Sequence, residues 1–327
     1  MPRQYSGRGG RAMNRVLNRV FIDGEAGTTG LGIRARLGAL PGVALISLPD
    51  ADRKSEGARR AAMRDCDVTI LCLPDDAARE AVAIAQSLGP AAPRLLDASS
   101  AHRTAPGWVY GFAEIAAGRP AAIAAAARVA NPGCYATGAI ALLKPLVEAG
   151  LLAADAAIAI NAVSGYSGGG RAMIAAHRQA GGPAFELYAL ALAHKHVPEI
   201  MAQAGLAAEP VFVPSVGHFR QGMLVAIPLF LDRLPGRPTA PDILAAYRAH
   251  YAGAAGIGIA AAPATLDPQA LNDTDRLEIF VAANGPRAVL IARLDNLGKG
   301  AAGAAVQNLA LMLGLPAPPH EQEPPDA

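Results

Sequence analysis

One cysteine in this chain stands where nucleophilic chemistry is favoured. Asn131-Pro132-Gly133-Cys134-Tyr135-Ala136-Thr137-Gly138 follows a strand-like run at 128–130 and leads into a helical run over 137–152. A thiol at a helix N-terminus sits at the positive end of the peptide dipoles, which lowers its pKa and favours thiolate. The same free N–H groups can hold a developing oxyanion. Gly133 leaves the sulfur without a bulky neighbour. Cys66 and Cys72 read instead as small buried hydrophobes, Cys72 inside an apolar strand over 68–73. Three cysteines without a CxxC pair suit a reducing compartment, so a cytoplasmic location is expected.

Such a nucleophile needs a proton acceptor. Of the seven histidines, two fall in His194-Lys195-His196-Val197-Pro198-Glu199, where imidazoles, an ammonium and a carboxylate are grouped for acid–base work. Their alternate spacing places both imidazoles on one face of a strand. No third ligand is suitably spaced, so no metal site is expected. His102, His177 and His218 lie near other polar motifs, and His250 and His320 read as surface residues.

Gly24-x-x-Gly27-x-x-Gly30, with Thr28 and Thr29, lies between an apolar run at 20–23 and a helical pattern carried by Leu31, Ile33, Leu37 and Leu40. Glycines at such a strand–helix turn let the backbone approach a pyrophosphate at the helix N-terminus. After a second strand over 43–48 come Arg53 and Lys54, which suit the 2′-phosphate of NADP. Asp50 and Asp52 argue the other way, toward ribose hydroxyls. Asp97-Ala98-Ser99-Ser100-Ala101-His102-Arg103 offers hydroxyls and a guanidinium to an anionic oxygen group, or equally the residues of a turn and a cap.

The elements that must position these groups change character along the chain. Apolar runs at 20–23, 43–48, 68–73 and 95–97, with a helix over 75–88 capped by Asp75 or Asp76, describe βαβ units and a parallel sheet. Beyond 133 come strands over 157–163 and 223–231, and two runs, 277–283 and 288–294, flanking Asn284-Gly285, a hairpin signal. A final helix spans 301–313. The expected fold is α/β plus α+β, a Rossmann-type dinucleotide-binding unit over 19–133 and a mixed-sheet unit over 134–296. A disordered leader is expected over 1–18 and a disordered tail over 316–327. The net charge of +2 gives no reason to expect nucleic acid or an anionic membrane as partner, and no apolar run is long enough to span a bilayer.

Together the segments FIDGEAGTTGL (21–31), DASSAHRT (97–104), ANPGCYATG (130–138), AVSGYSGGGR (162–171), HKHVPEI (194–200), PSVGHFRQGM (214–223) and DNLGKGAAGAAVQN (295–308) resemble the N-acetyl-gamma-glutamyl-phosphate reductase family in its shorter form. The resemblance implies a fold like that of aspartate-semialdehyde dehydrogenase, with the last helix (297–315) returning to the first unit and the second unit used in dimerisation, hence a homo-oligomer. It implies reduction of an acyl phosphate to an aldehyde with NADPH through a thioester. Cys134 matches the nucleophile, and the HxHxPE segment carries the acid–base histidine, His196 with His194 as second choice. Ser100, Arg103 and Asn131 match the substrate-binding region. Ser164, Gly165 and Asn296 look like contacts around the nicotinamide, with Gly24, Gly27, Thr28, Thr29, Gly30, Arg53 and Lys54 holding the rest of the dinucleotide. His218 stays outside the implied site. The competing expectations are an aspartate-semialdehyde dehydrogenase, a non-catalytic NADP-binding regulator, and a cofactor-free hydrolase.

Overall fold

The computed structural model describes residues 17–38, 40–178 and 182–316. Of the expected leader over 1–18, residues 1–16 lie outside the described residues, as do the tail beyond 316 and His320, whereas Asn18 belongs to the first strand.

In the first half, strands and helices alternate: β1 (Asn18–Asp23), α1 (Thr28–Gly38), β2 (Val43–Ile46), α2 (Glu56–Arg64), β3 (Val68–Leu71), α3 (Asp75–Gln86), β4 (Arg94–Asp97), β5 (Val109–Tyr110), α4 (Arg119–Ala125) and β6 (Arg128–Ala130). The strands form one parallel sheet in the order β2-β1-β3-β4-β6-β5. Successive side chains on a strand point to opposite faces, and both faces are covered. Val20, Ile22, Val68, Ile70 and Leu96 pack with Ile33 and Leu37 of α1, whereas Phe21, Leu71 and Leu95 pack with Met63 of α2 and Val82 of α3. Burial on both sides explains why these strands read as continuous apolar runs. The strand order reverses between β1 and β3, so a crevice opens at their carboxyl ends, where α1 begins.

The second half contains α5 (Cys134–Glu148), β7 (Ala159–Gly165), α6 (Gly170–Arg178), β8 (Phe185–Leu187), α7 (Val197–Ala204), β9 (Val211–Gly217), β10 (Met223–Phe230), α8 (Ala240–His250), β11 (Ile257–Ala261), β12 (Leu277–Asn284), β13 (Arg287–Leu294) and α9 (Gly303–Leu313). Its strands form a mixed sheet in the order β11-β12-β13-β10-β7-β9-β8. Alternation is strict: Met223, Val225, Ile227, Leu290, Ala292 and Leu294 face Ile140, Leu143 and Tyr247 of α5 and α8 in the core. Leu224, Ala226, Pro228, Val289 and Ile291 face the other way and stay partly exposed. The expected hairpin is present, with Asn284 paired to Arg287 and Gly285 at φ +59° in the turn. Helix α9 crosses back to the first sheet, where Ala305, Val306, Leu309 and Met312 share a core with Val20, Ile22 and Leu96.

Several local expectations are corrected. Asp75 does not cap α3; Pro74 occupies that position, and the Asp75 carboxylate instead accepts from the Ser100 N–H and hydroxyl, both at 3.0 Å. Leu31 is 55% exposed, because the inward face of α1 is set by Ile33 and Leu37. Strand β3 ends at Leu71, so Cys72 follows it rather than lying within it. His250 is not a surface residue: its Nε2 lies 3.1 Å from the Ile115 carbonyl oxygen and its Nδ1 3.2 Å from Glu148.

Candidate active site

Cys134 is the first residue of α5. Gly133, in extended conformation (φ −79°, ψ 149°), precedes it, and the Gly133 carbonyl accepts from the Thr137 N–H at 2.8 Å and the Thr137 hydroxyl at 3.0 Å, closing the first turn. The half-buried Cys134 lines a cavity of about 330 Å³ shared with Arg103, Asn131, Ser164, His194 and His196. On its other side, one π-helical turn, Gly298–Ala302, presses against it. A Cβ added to Gly300 would sit 2.8 Å from Cys134 Cβ. Such turns concentrate where backbone must be re-aimed at a site.

The two histidines are not on a strand. Pro198 sits in the first turn of α7, His196 is the N-cap residue, and His194 lies just upstream in non-repetitive chain. Their rings meet edge to face with centroids 4.6 Å apart, and His194 Nδ1 accepts from the His196 N–H at 3.1 Å. One turn further on, Glu199 is 1% exposed and organises the site. It accepts from Arg103 Nη1 (2.5 Å), the Tyr110 hydroxyl (2.6 Å) and the Gly133 N–H (3.1 Å), and lies 3.9 Å from His196 Nε2. A Cβ on Gly133 would fall 2.4 Å from Arg103 Nη1, 2.5 Å from His196 Nε2 and 2.6 Å from Glu199 Oε1, so only glycine fits between Cys134 and this cluster.

The electrostatics correct one expectation. Burial pushes the Cys134 thiol above its ordinary pKa, and this outweighs the opposing pull of the Tyr135 N–H, Arg103 and Lys195. The helix start therefore does not by itself yield a thiolate in the free protein. Burial, helped by Arg103, His194 and Lys195, holds His196 well below the usual imidazole value. Burial, Lys195 and Arg103 bring His194 down to about 4. Both imidazoles are neutral near pH 7 and able to accept a proton.

A second cavity of about 250 Å³ is lined by Gly27, Thr28, Thr29, Cys72, Ala98 and Arg171, and Thr28, Thr29 and Ala98 also line the first. Gly24 has φ +89°, and a Cβ there would lie 2.3 Å from the Cys72 carbonyl oxygen. A Cβ on Gly30 would lie 2.6 Å from the Gly24 carbonyl oxygen, so the loop closes tightly on α1. This cradle, at a helix N-terminus over a strand-order reversal, fits a dinucleotide pyrophosphate. Beyond β2, Arg34 and Arg53 converge on the buried Glu25 carboxylate, the latter at 3.4 Å, and Ser47 donates to it at 2.9 Å. Both guanidiniums stay partly exposed and suit a ribose phosphate. Lys54 does not join them; it borders a separate cavity with Arg59, Arg60 and Glu80.

Gly165, Ser164 and Asn296 reach the catalytic cavity together, as Asn296 accepts from the Gly222 N–H (2.8 Å) and donates to Ser167 Oγ (2.9 Å). Asn131 also lines it, donating to the Ala301 carbonyl (3.0 Å) and accepting from Asn308 (3.0 Å). Ser100 is drawn away to Asp75 and does not line the cavity. His102 is bound to Asp97 at 2.6 Å and stacked on Trp108, while His177 and His218 pair with each other. Tyr110, Arg34, Ser47 and the anchoring role of Glu199 escaped sequence reasoning. The only local signal was Glu199 standing one helical turn after His196.

Residues 134–296 match the family model described as semialdehyde dehydrogenase, dimerisation domain. The chain is 53% identical over 305 residues to N-acetyl-gamma-glutamyl-phosphate reductase 2 of Pseudomonas putida, covering 90% of this chain and 96% of that one. It is 49% identical over 306 residues to the N-acetyl-gamma-glutamyl-phosphate reductase of a Chelativorans species, covering 90% and 98%. Among solved structures, aspartate semialdehyde dehydrogenase from Francisella tularensis superposes with a TM-score of 0.69 at 12% identity, covering 91% of this chain and 100% of that one. Aspartate semialdehyde dehydrogenase II from Vibrio cholerae gives 0.67 at 16% identity, covering 91% and 98%. At those identities the likeness establishes the Rossmann-type plus mixed-sheet fold.

Proposed function

The chain belongs to the N-acetyl-gamma-glutamyl-phosphate reductase family, and from that premise we propose that it reduces N-acetyl-L-glutamyl 5-phosphate to N-acetyl-L-glutamate 5-semialdehyde and phosphate with NADPH, through a thioester on Cys134. The observation that carries this reading is the meeting of Cys134 and two neutral imidazoles in a cavity that adjoins the glycine-loop cradle. Identity of 53% to a reductase of that name favours the acetylglutamyl substrate over the shorter aspartyl one.

Cys134 attacks the acyl carbon, the carbon–oxygen bond to phosphate breaks, and a thioester forms. His196, neutral beforehand, accepts the thiol proton during attack and delivers it to the departing phosphate oxygen. Because the thiol lies above its ordinary value, sulfur attack and proton removal are coupled, and Arg103 favours the negative sulfur as it develops. Backbone N–H groups in the first turn of α5 stabilise the negative charge that develops on the acyl oxygen. Bound NADPH supplies the hydride that reduces the thioester carbon. The alkoxide that hydride addition would leave collapses, the carbon–sulfur bond breaks and the aldehyde departs, and His196 passes a proton from solvent to the sulfur to restore the thiol. Gly24, Gly27, Thr28, Thr29 and Gly30 hold the pyrophosphate, Arg34 and Arg53 the 2′-phosphate, and Ser164, Gly165 and Asn296 the nicotinamide side.

The two sheets form a cofactor unit (19–133, completed by 297–315) and a catalytic unit (134–296). A homo-oligomer forms through the outward face of the mixed sheet, where Leu224, Ala226, Pro228 and Ile291 stay at least partly exposed. No helix among the described residues is long and apolar enough to cross a membrane, and free thiols suit a cytoplasmic enzyme. The test is phosphate-dependent reduction of NADP by N-acetyl-glutamate 5-semialdehyde, run beside aspartate semialdehyde and beside NAD. Turnover with the acetylated semialdehyde and NADP supports the reading; NADP reduction confined to aspartate semialdehyde would overturn it.

A further inference from the structure

Arg103 is poorly placed to receive every negative charge that enters the catalytic cavity. Its Nη1 is bound to Glu199 at 2.5 Å and its Nε to the Asn131 carbonyl at 3.0 Å, with the side chain only 8% exposed. The buried Glu199 carboxylate balances its charge. The substrate of the function proposed above, on which this inference rests, carries two anionic groups, an acyl phosphate and an α-carboxylate, separated by three carbons. Among the described residues, one other lysine or arginine lines that cavity, and it is Lys195.

Lys195 is exposed, and no hydrogen bond or ion pair among the described residues engages its ammonium. Its field is felt inside the site: it lowers Cys134, His194 and His196 together. Arg103 acts more strongly than Lys195 on Cys134 and His196, whereas the order is reversed at His194. Geometry agrees: Arg103 Nη1 lies against Gly133, the residue before Cys134, whereas Lys195 lines the cavity beside His194. The segment leading to Lys195 also holds two non-glycine residues in the left-handed region, Ala189 (φ 52°) and Leu192 (φ 58°). Such conformations cluster where a loop is held to present a side chain.

We propose that Lys195 receives the α-carboxylate of the substrate at the outer end of the cavity, while the phosphate departs at the inner end beside Arg103 and Gly133. Lys195 is thereby a specificity residue: it selects an acyl phosphate that bears a carboxylate three carbons from the reacting carbonyl. A charged hydrogen bond of this kind, once lost, raises KM by about tenfold or more.

The experiment uses the full-length enzyme in the aldehyde-oxidising direction. Wild-type turnover of N-acetyl-glutamate 5-semialdehyde with phosphate and NADP is established first, since its absence would count against the function and not against Lys195. Lys195→Met then raises KM for the semialdehyde about tenfold or more, leaves KM for phosphate and for NADP unchanged, and keeps kcat within about threefold. Lys195→Arg recovers most of the loss. With 4-acetamidobutanal, which lacks the carboxylate, wild type and Lys195→Met have kcat/KM within about threefold of each other, far less than the loss with the carboxylated substrate. The assignment is overturned if Lys195→Met raises KM for phosphate instead, or if the loss is as large with the decarboxylated aldehyde.

Discussion

The carboxylate of Glu199 accepts the backbone N–H of Gly133 at 3.1 Å, so a residue in the first turn of α7 holds the residue immediately before Cys134. That bond joins the first turn of α7, just after His196, to the start of α5, where Cys134 sits. It also brings a carboxylate, a guanidinium and an imidazole against one glycine Cα.

Gly133→Ala should therefore be severe although it adds one carbon. Its Cβ would meet Arg103, His196 and Glu199 at 2.6 Å or less; Arg103 and Glu199 are bound to each other, and His196 is itself buried. Displacement on the ångström scale costs on the order of 100-fold in rate. Steady-state kinetics should show kcat/KM down by at least about that factor, with NADPH affinity from fluorescence titration unchanged.

Glu199→Gln separates stability from chemistry. The substitution leaves the Arg103 guanidinium buried without its counter-charge, and breaking a buried pair from one side costs about 3–5 kcal/mol. The expected outcome is a lower denaturation midpoint in urea together with a large loss of kcat. A variant as stable as the parent would show that Arg103 finds another anion.

The thiol predicts an unusual alkylation profile. Because burial holds Cys134 above the ordinary thiol value, the rate of iodoacetamide labelling in the free enzyme should still be rising past pH 9. A plateau near neutrality would mean a preformed thiolate. Cys134→Ser should abolish turnover and leave NADPH binding intact, because a serine alkoxide is barely populated at neutral pH.

The guanidinium pair over Glu25 predicts cofactor preference. Arg34→Met and Arg53→Met should each weaken NADP binding by about tenfold or more, the loss of a charge-assisted bond to phosphate, and leave NAD binding nearly unchanged. Lys54→Met, bordering a different cavity, should do neither. Isothermal titration with the two dinucleotides decides between these outcomes.

Acid sensitivity follows from the histidines. His194 lies at about 4 and His196 below the ordinary 6.5. Between those values the unfolded chain binds protons that the native state refuses, so this contribution to stability is complete above about pH 6.5 and falls as pH drops toward 4. Melting temperature should decline from pH 7 to pH 5, and His196→Gln should flatten the decline. A melting temperature independent of pH across that interval would contradict the assignment of both imidazoles as neutral.

What could be read directly from the sequence was whatever is local. The glycine loop, the helix start at Cys134 and the Asn284-Gly285 turn each depend on a few consecutive residues, and all three lie where their spacing placed them. Convergence across the chain was not legible. Tyr110 and Arg103 reach Glu199 across long stretches of sequence, and nothing adjacent to them marks that meeting. Arg53 and Lys54 are neighbours of one charge type, yet Arg53 turns to Glu25 while Lys54 borders a cavity with Arg59 and Arg60. The helix start suggested an ionised sulfur, but the burial that reverses this is a property of the assembled cleft. Alternation likewise misplaced His194 and His196 on a strand, because Pro198 starts a helix there.

Helix α9 supplies part of the wall that covers β1, β3 and β4, although those strands emerge from the ribosome early and α9 comes almost last. The nascent cofactor-binding half must therefore wait with Val20, Ile22 and Leu96 incompletely shielded while the whole catalytic half is made. Premature termination shortly before Gly303 would release a chain with both sheets encoded but one left sticky on a face, a natural substrate for chaperones and proteases.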